Sequence, residues 1–220
     1  MRLAVCASAA YLFVRDRPEP DDPTSLEDAY SDKQMSTELE PPQSILADLL
    51  STEHERQNKA HQYFQEATKE PVEWAYMVWD DLLETLRKGD NRQRAIAAQA
   101  LCGLAKSDPI NRMEKDLAAL LAVTKDARFV TARHCLQSLW KVGVTGESQR
   151  RVLVEGLTAR FRECATEKNC TLIRYDILEC LRRIYDVVGD ETLRATAGRL
   201  MELEEDAKYK TKYATLWKKA

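Results

Sequence analysis

"RAIAAQALCGLA", residues 94–105, is a helix whose apolar face carries very little bulk. Ala97, Ala100, Leu101 and Leu104 fall on one stripe of a 3.6-residue helix. The same pattern returns twice. Phe129, Ala132, Cys135, Leu136 and Leu139 form the second copy, and Arg174, Ile177, Cys180, Leu181 and Ile184 the third. The offsets are 35 and 45 residues. Small side chains at the central positions let neighbouring helices approach, and the Leu or Ile positions fill the groove between them. A repeat of this length describes helix pairs that lack enough core alone and bury their apolar faces by stacking.

The punctuation between these copies is regular. Pro71 opens a helix with Ala75, Val78, Trp79, Leu82, Leu83 and Leu86 on its apolar face, and Gly89-Asp90 begins the next. In "KSDP" Asp108 reads as a cap, with Pro109 at the first helical position. That helix buries Met113, Leu117, Leu120 and Leu121. "TKDA", "VGVTGES" and "VGDE" separate the remaining helices. Links this short make successive helices antiparallel neighbours. Upstream, residues 44–70 read as one further helix capped by Ser44 after Pro41-Pro42. Periodicity by itself is also satisfied by a plain helical bundle.

Over residues 71–206 the pattern resembles the HEAT-repeat family, including an Asp90-x-x-x-Arg94 element. The resemblance implies an all-α fold: a right-handed α-α superhelix of about three to four antiparallel helix pairs. It also implies an Asp–Arg ladder between adjacent repeats. The second copy departs from it, with Phe129 in place of Arg although Asp126 and Arg128 are close by. The third has Arg174 but no matching Asp. Residues 207–220 follow as a basic aromatic end, with five lysines and no acid. Tyr213, Leu216 and Trp217 have helical spacing and suit a cap over the last repeat's open edge, because solenoids need closed ends. The lysines also suit a phosphate or an acidic partner surface.

With 7 Gly and 7 Pro in 220 residues, long helices are favoured over a turn-rich β fold. Residues 1–34 carry four basic and seven acidic side chains and residues 35–70 three and seven, so the repeat body is slightly positive. The acidic, Pro-rich segment up to residue 43 reads as a disordered leader, or as an over-long start with Met35 as the true one. Leu3–Val14 is too short to span a bilayer, and the small residues come too early for an export signal. No membrane role is expected and a cytoplasmic location is. The six cysteines form no C-x-x-C pair and read as small hydrophobes kept reduced.

Chemistry-bearing motifs are absent. There is no P-loop, G-x-G-x-x-G or G-x-S-x-G. In "HERQN" Asn58 stands where the zinc motif needs its second His. Asp80-Asp81 diverge on a helix and are not an acid/base pair. No metal, cofactor or enzymatic activity is expected. The second helices offer a ridge opposite the buried stripe, the concave face in a solenoid. Its candidate partner-binding residues are Gln99, Lys106, His134, Gln137, Lys141, Tyr175, Glu179 and Arg182. The expected function is a non-enzymatic scaffold or adaptor holding a protein or peptide there. The rival is a nucleic-acid binder. Some proteins with related helical repeats are glycosylases for alkylated DNA bases, and Arg94, Arg128, Arg133, Lys141, Arg174, Arg182 and Arg183 with Trp74, Trp79 and Trp140 would supply the basic and stacking groups.

Overall fold

The computed structural model describes residues 42–218, which are all-helical with no strand. Residues 1–41 of the expected leader, with Cys6 and Met35, lie outside the described residues, and Pro42 and Gln43 belong to the first helix instead, two residues before the expected Ser44 start. Helices α1 (Pro42–Leu49), α3 (Ala75–Lys88), α5 (Arg112–Val123), α8 (Glu147–Glu163) and α10 (Glu191–Met201) pack successively against one another. So do α2 (His54–Ala67), α4 (Asn91–Leu104), α6 (Phe129–Leu136) with α7 (Trp140–Gly143), α9 (Cys170–Val188) and α11 (Ala207–Trp217). Each member of the first layer also touches its successor in the second, so the chain runs as five consecutive pairs among the described residues.

The repeated stripe is the core of the second layer. Ala97, Ala100, Leu101 and Leu104 of α4, Ala132, Cys135 and Leu136 of α6 with Leu139 just beyond it, and Ile177, Cys180, Leu181 and Ile184 of α9 are all buried. The apolar face of α3 is buried at all six expected positions. Asp90 starts α4 with a full capping box: its carboxylate accepts from the Arg92 and Gln93 amides, and Gln93 returns a bond to the Asp90 amide.

Three local expectations are corrected. The single helix over 44–70 is two helices: α1 stops at Leu49, and the chain turns through residues 50–53. Gln57 then donates to the Leu49 carbonyl at 3.1 Å and stitches α2 to the end of α1. α5 begins at Arg112, not Pro109. Asp108 does cap it, accepting from the Arg112 and Met113 amides, but across an intervening turn in which Asn111 is left-handed (φ 55). The helix through residue 142 is broken between α6 and α7. Ser138 Oγ donates to the His134 carbonyl at 2.9 Å, and the Ser138, Lys141 and Val142 amides bond three residues back instead of four.

α11 lies on α9 and α10. Tyr213 is fully buried, its hydroxyl proton shared between the Thr171 carbonyl (2.6 Å) and Glu204 Oε2 (3.1 Å). Trp217 packs beside Tyr185, with ring centres 5.8 Å apart.

Arginine–carboxylate bridges join successive helices of the second layer. Arg94 holds Asp126, in the turn before α6, through Nε (2.6 Å) and Nη2 (3.0 Å). Arg133 holds Asp176 of α9 with the same pair of distances, and Arg174 reaches Glu204 before α11 at 3.1 Å. Asp90 is a cap for its own helix. The partner of Arg94 comes from the next pair. At Phe129, which lacks a guanidinium, the bridge is made one turn later by Arg133, whose guanidinium lies 5.7 Å from the Phe129 ring centre.

Cys102, Cys135 and Cys180 sit inside the second layer, and burial pushes the Cys102 thiol up to about 12. Cys164 is equally sealed, with the Cys170 sulfur 3.4 Å away, and Cys170 is half-buried. Alkylation of the folded protein with iodoacetamide should therefore label Cys170 first among the described cysteines. Peptide mapping should find Cys102, Cys135 and Cys180 modified only after denaturation. Their early modification would contradict the packing of the stripe.

Candidate functional site: a cleft on the second layer

Two adjoining cavities open where α2, α4, α6 and α7 meet, and they share His61. One, of about 660 Å³, lies between His61, Gln65 and Thr68 of the α2 segment, Lys106 after α4, and Trp140 and Lys141 of α7. The other, of about 650 Å³, is lined by His54, Asn58 and His61 from α2, Arg92 and Gln99 from α4, and His134 from α6. All 3 histidines of the chain therefore border one cleft.

Hydrogen bonds fix its walls. Arg92 contacts the His54 ring and donates to Asn58 Oδ1 at 2.8 Å. Gln65 bonds the His61 ring at 2.8 Å and Gln99 at 3.4 Å, and Gln99 donates to the Ala95 carbonyl. The Lys106 ammonium donates to the Lys69 carbonyl. The two lining carboxylates are already engaged: Glu66 pairs with Lys69 at 2.6 Å, and Asp90 caps α4. Lys141 is partly buried with no carboxylate partner among the described residues. Burial, and then Lys106, hold its ammonium below the usual lysine range. The cleft thus presents donors and cations beside the apolar surfaces of Trp140 and Val144.

His61 is also depressed, first by burial and then by His134, Lys141 and Arg92, against a hydrogen bond to Gln99 that raises it. Folding therefore favours neutral His61. This contribution to stability is complete above the unfolded value of 6.5 and is lost as pH falls below it through the folded pKa. Thermal unfolding should show a midpoint that declines from pH 7 to pH 5.5, and His61→Gln should flatten that decline. An unchanged slope in the variant would assign the dependence to another group.

Of the sequence-predicted residues, Gln99, Lys106, His134 and Lys141 line this cleft. Gln137 turns instead to Asp176, donating at 3.3 Å. The other three belong to the α9–α11 contact and its surroundings. Tyr175 packs on Tyr213, with Lys212 Nζ 4.4 Å from its ring centre. Glu179 pairs with Arg183 (2.8 Å). Arg182 pairs with Asp186 (2.7 Å) and donates to the Leu216 carbonyl. Ala95 and Cys102, which helical spacing puts on the same ridge as Gln99 and Lys106, are buried. The α2 wall was missed because that helix lacks the repeat stripe. Its polar positions 54, 58, 61 and 65, spaced as one helical face, were the available signal.

Compared with models of known protein families, with curated proteins and with solved structures, the chain has no match. Among the described residues no helix is long and apolar enough to cross a membrane.

Proposed function

We propose that this chain is a HEAT-like right-handed α-solenoid acting as a non-enzymatic scaffold or adaptor in the cytoplasm, with the second layer as its concave, protein-binding face. The observation that carries this reading is the cleft between α2, α4 and α7, whose cations and donors are not matched by free acids on the same surface. Helical solenoids present their second helices to partners, and an open, partly apolar cleft there suits a protein segment. The nucleic-acid alternative loses its main support at the arginines. Arg94, Arg133, Arg174, Arg182 and Arg183 are engaged by Asp126, Asp176, Glu204, Asp186 and Glu179, and Trp79 is buried with its indole N–H on Asp116.

The test is capture from native lysate on the full chain, with and without nuclease, followed by hydrogen exchange of the recovered complex. Proteins retained after nuclease should protect α2, α4 and α6–α7 and leave α8 and α10 unchanged. Nucleic acid recovered with an affinity that falls steeply with salt would replace the scaffold reading with the alternative.

A further inference from the structure

Resting on the protein-binding role proposed for the second layer, we infer that the cavity between α2 and α7 docks an acidic peptide: one carboxylate against Lys141 and Lys106, and a neighbouring apolar side chain on Trp140 and Val144. Lys141 is half-buried and lines the same cavity as Lys106, whose ammonium donates to the Lys69 carbonyl, and neither ammonium has a carboxylate partner among the described residues. Glu66, the carboxylate in the cavity lining, pairs with Lys69 at 2.6 Å. Such an arrangement is unfavourable in the free protein and is relieved when a carboxylate enters. Lys141 is half-buried, so a carboxylate there interacts with it more strongly than in open water.

The apolar half of the site fixes the rest of the ligand. Trp140 packs against the core, with the Arg183 guanidinium carbon 6.0 Å from its ring centre, so its position is set before a partner arrives. A volume of about 660 Å³ takes a few side chains. A phosphate backbone would need a continuous cationic track, whereas here the unmatched charge sits in one spot against apolar walls. Charge complementarity with an apolar anchor therefore favours a peptide.

The probe is an array of synthetic dodecapeptides combining Asp or Glu with Leu or Trp in every register. Parallel arrays carry Asn/Gln in place of the acids, Ser in place of the apolar residues, or Lys in place of the acids. The full chain should bind the acidic–apolar set, and either the amide or the serine replacement should weaken binding by about tenfold or more. Lys106→Glu/Lys141→Glu should lose the acidic set and gain the lysine set, a reversal that an unfolded variant cannot produce. Arg151→Glu, on exposed first-layer surface, should change neither. Equal binding of acidic and amide peptides, or acidic binding that survives the double charge reversal, overturns the proposal. If no acidic peptide binds while nuclease-resistant protein capture still protects the second layer, this inference falls and the scaffold role stands. If that capture fails too, both fall.

Discussion

Arg133→Ala is expected to cost about 3 kcal/mol of stability, a fall of roughly 6–12 °C in Tm for a chain of this size. Asp176 is fully buried, and its two oxygens receive Arg133 Nε at 2.6 Å and Nη2 at 3.0 Å. The remaining donor, Gln137, is neutral and 3.3 Å away. Truncating Arg133 therefore strands a carboxylate out of water, and that desolvation outweighs the lost attraction of the pair. Adding Asp176→Asn should recover part of the loss, because it removes the stranded charge while keeping a hydrogen-bonding group. By contrast, Lys59→Ala breaks a pair with both side chains about three-quarters exposed, and should change stability by less than about 0.5 kcal/mol. Urea unfolding of the four proteins checks the ordering. If Arg133→Ala unfolds with the parent, or the double variant is weaker than the single one, the bridge does not hold α6 to α9.

The contrast between stripe and bridges shows what the sequence could convey. The stripe was legible because close packing imposes a period: Ala97, Ala132 and Ile177 occupy one register, and all three are buried. The bridges were not legible, because each joins residues 30 to 43 positions apart and tolerates a shift of one turn. Phe129 looked like a broken rung, yet Arg133 supplies the guanidinium. Helix breaks were hidden for a related reason. Residues 50–53 and 137–139 contain neither Gly nor Pro, and the turns are made by hydroxyl and backbone bonds that also occur inside helices.

The candidate site was half legible. A ridge opposite the buried stripe can be counted off by angle, which gave Gln99, Lys106, His134 and Lys141. Angle alone does not reveal a neighbouring helix laid along that ridge. At one end α2 builds a wall that turns the ridge into a cleft. At the other α11 covers part of it, so Arg182 bonds a backbone carbonyl and lies 5.8 Å from the centre of the Trp217 ring. The basic tail thus contributes its aromatic residues to packing, while its lysines Lys208 and Lys212 stay exposed.

Ala100→Trp should be more damaging than any surface change, at about 3 kcal/mol or more, because overpacking even by a few methylenes costs about 1–3 kcal/mol. Ala100 is the small central residue of the α4 stripe and is 3% exposed, and Cys135 and Cys180 hold the matching positions in α6 and α9. An indole there must push α4 away from a neighbour. Ala118→Trp, on the exposed side of α5, adds the same volume without that consequence and should melt close to the parent. The pattern of damage tests architecture as well as packing. α4 contacts α2, α3, α6 and α7, whereas α11 rests on α9 and α10. In a stack of pairs, stability is a sum of local terms and nearest-neighbour interfaces. Amide exchange in Ala100→Trp should then accelerate in α2, α4 and α6 while α11 keeps most of its protection. A bundle with one shared core would loosen as a unit, and equal acceleration in α11 would overturn the stacked-pair reading.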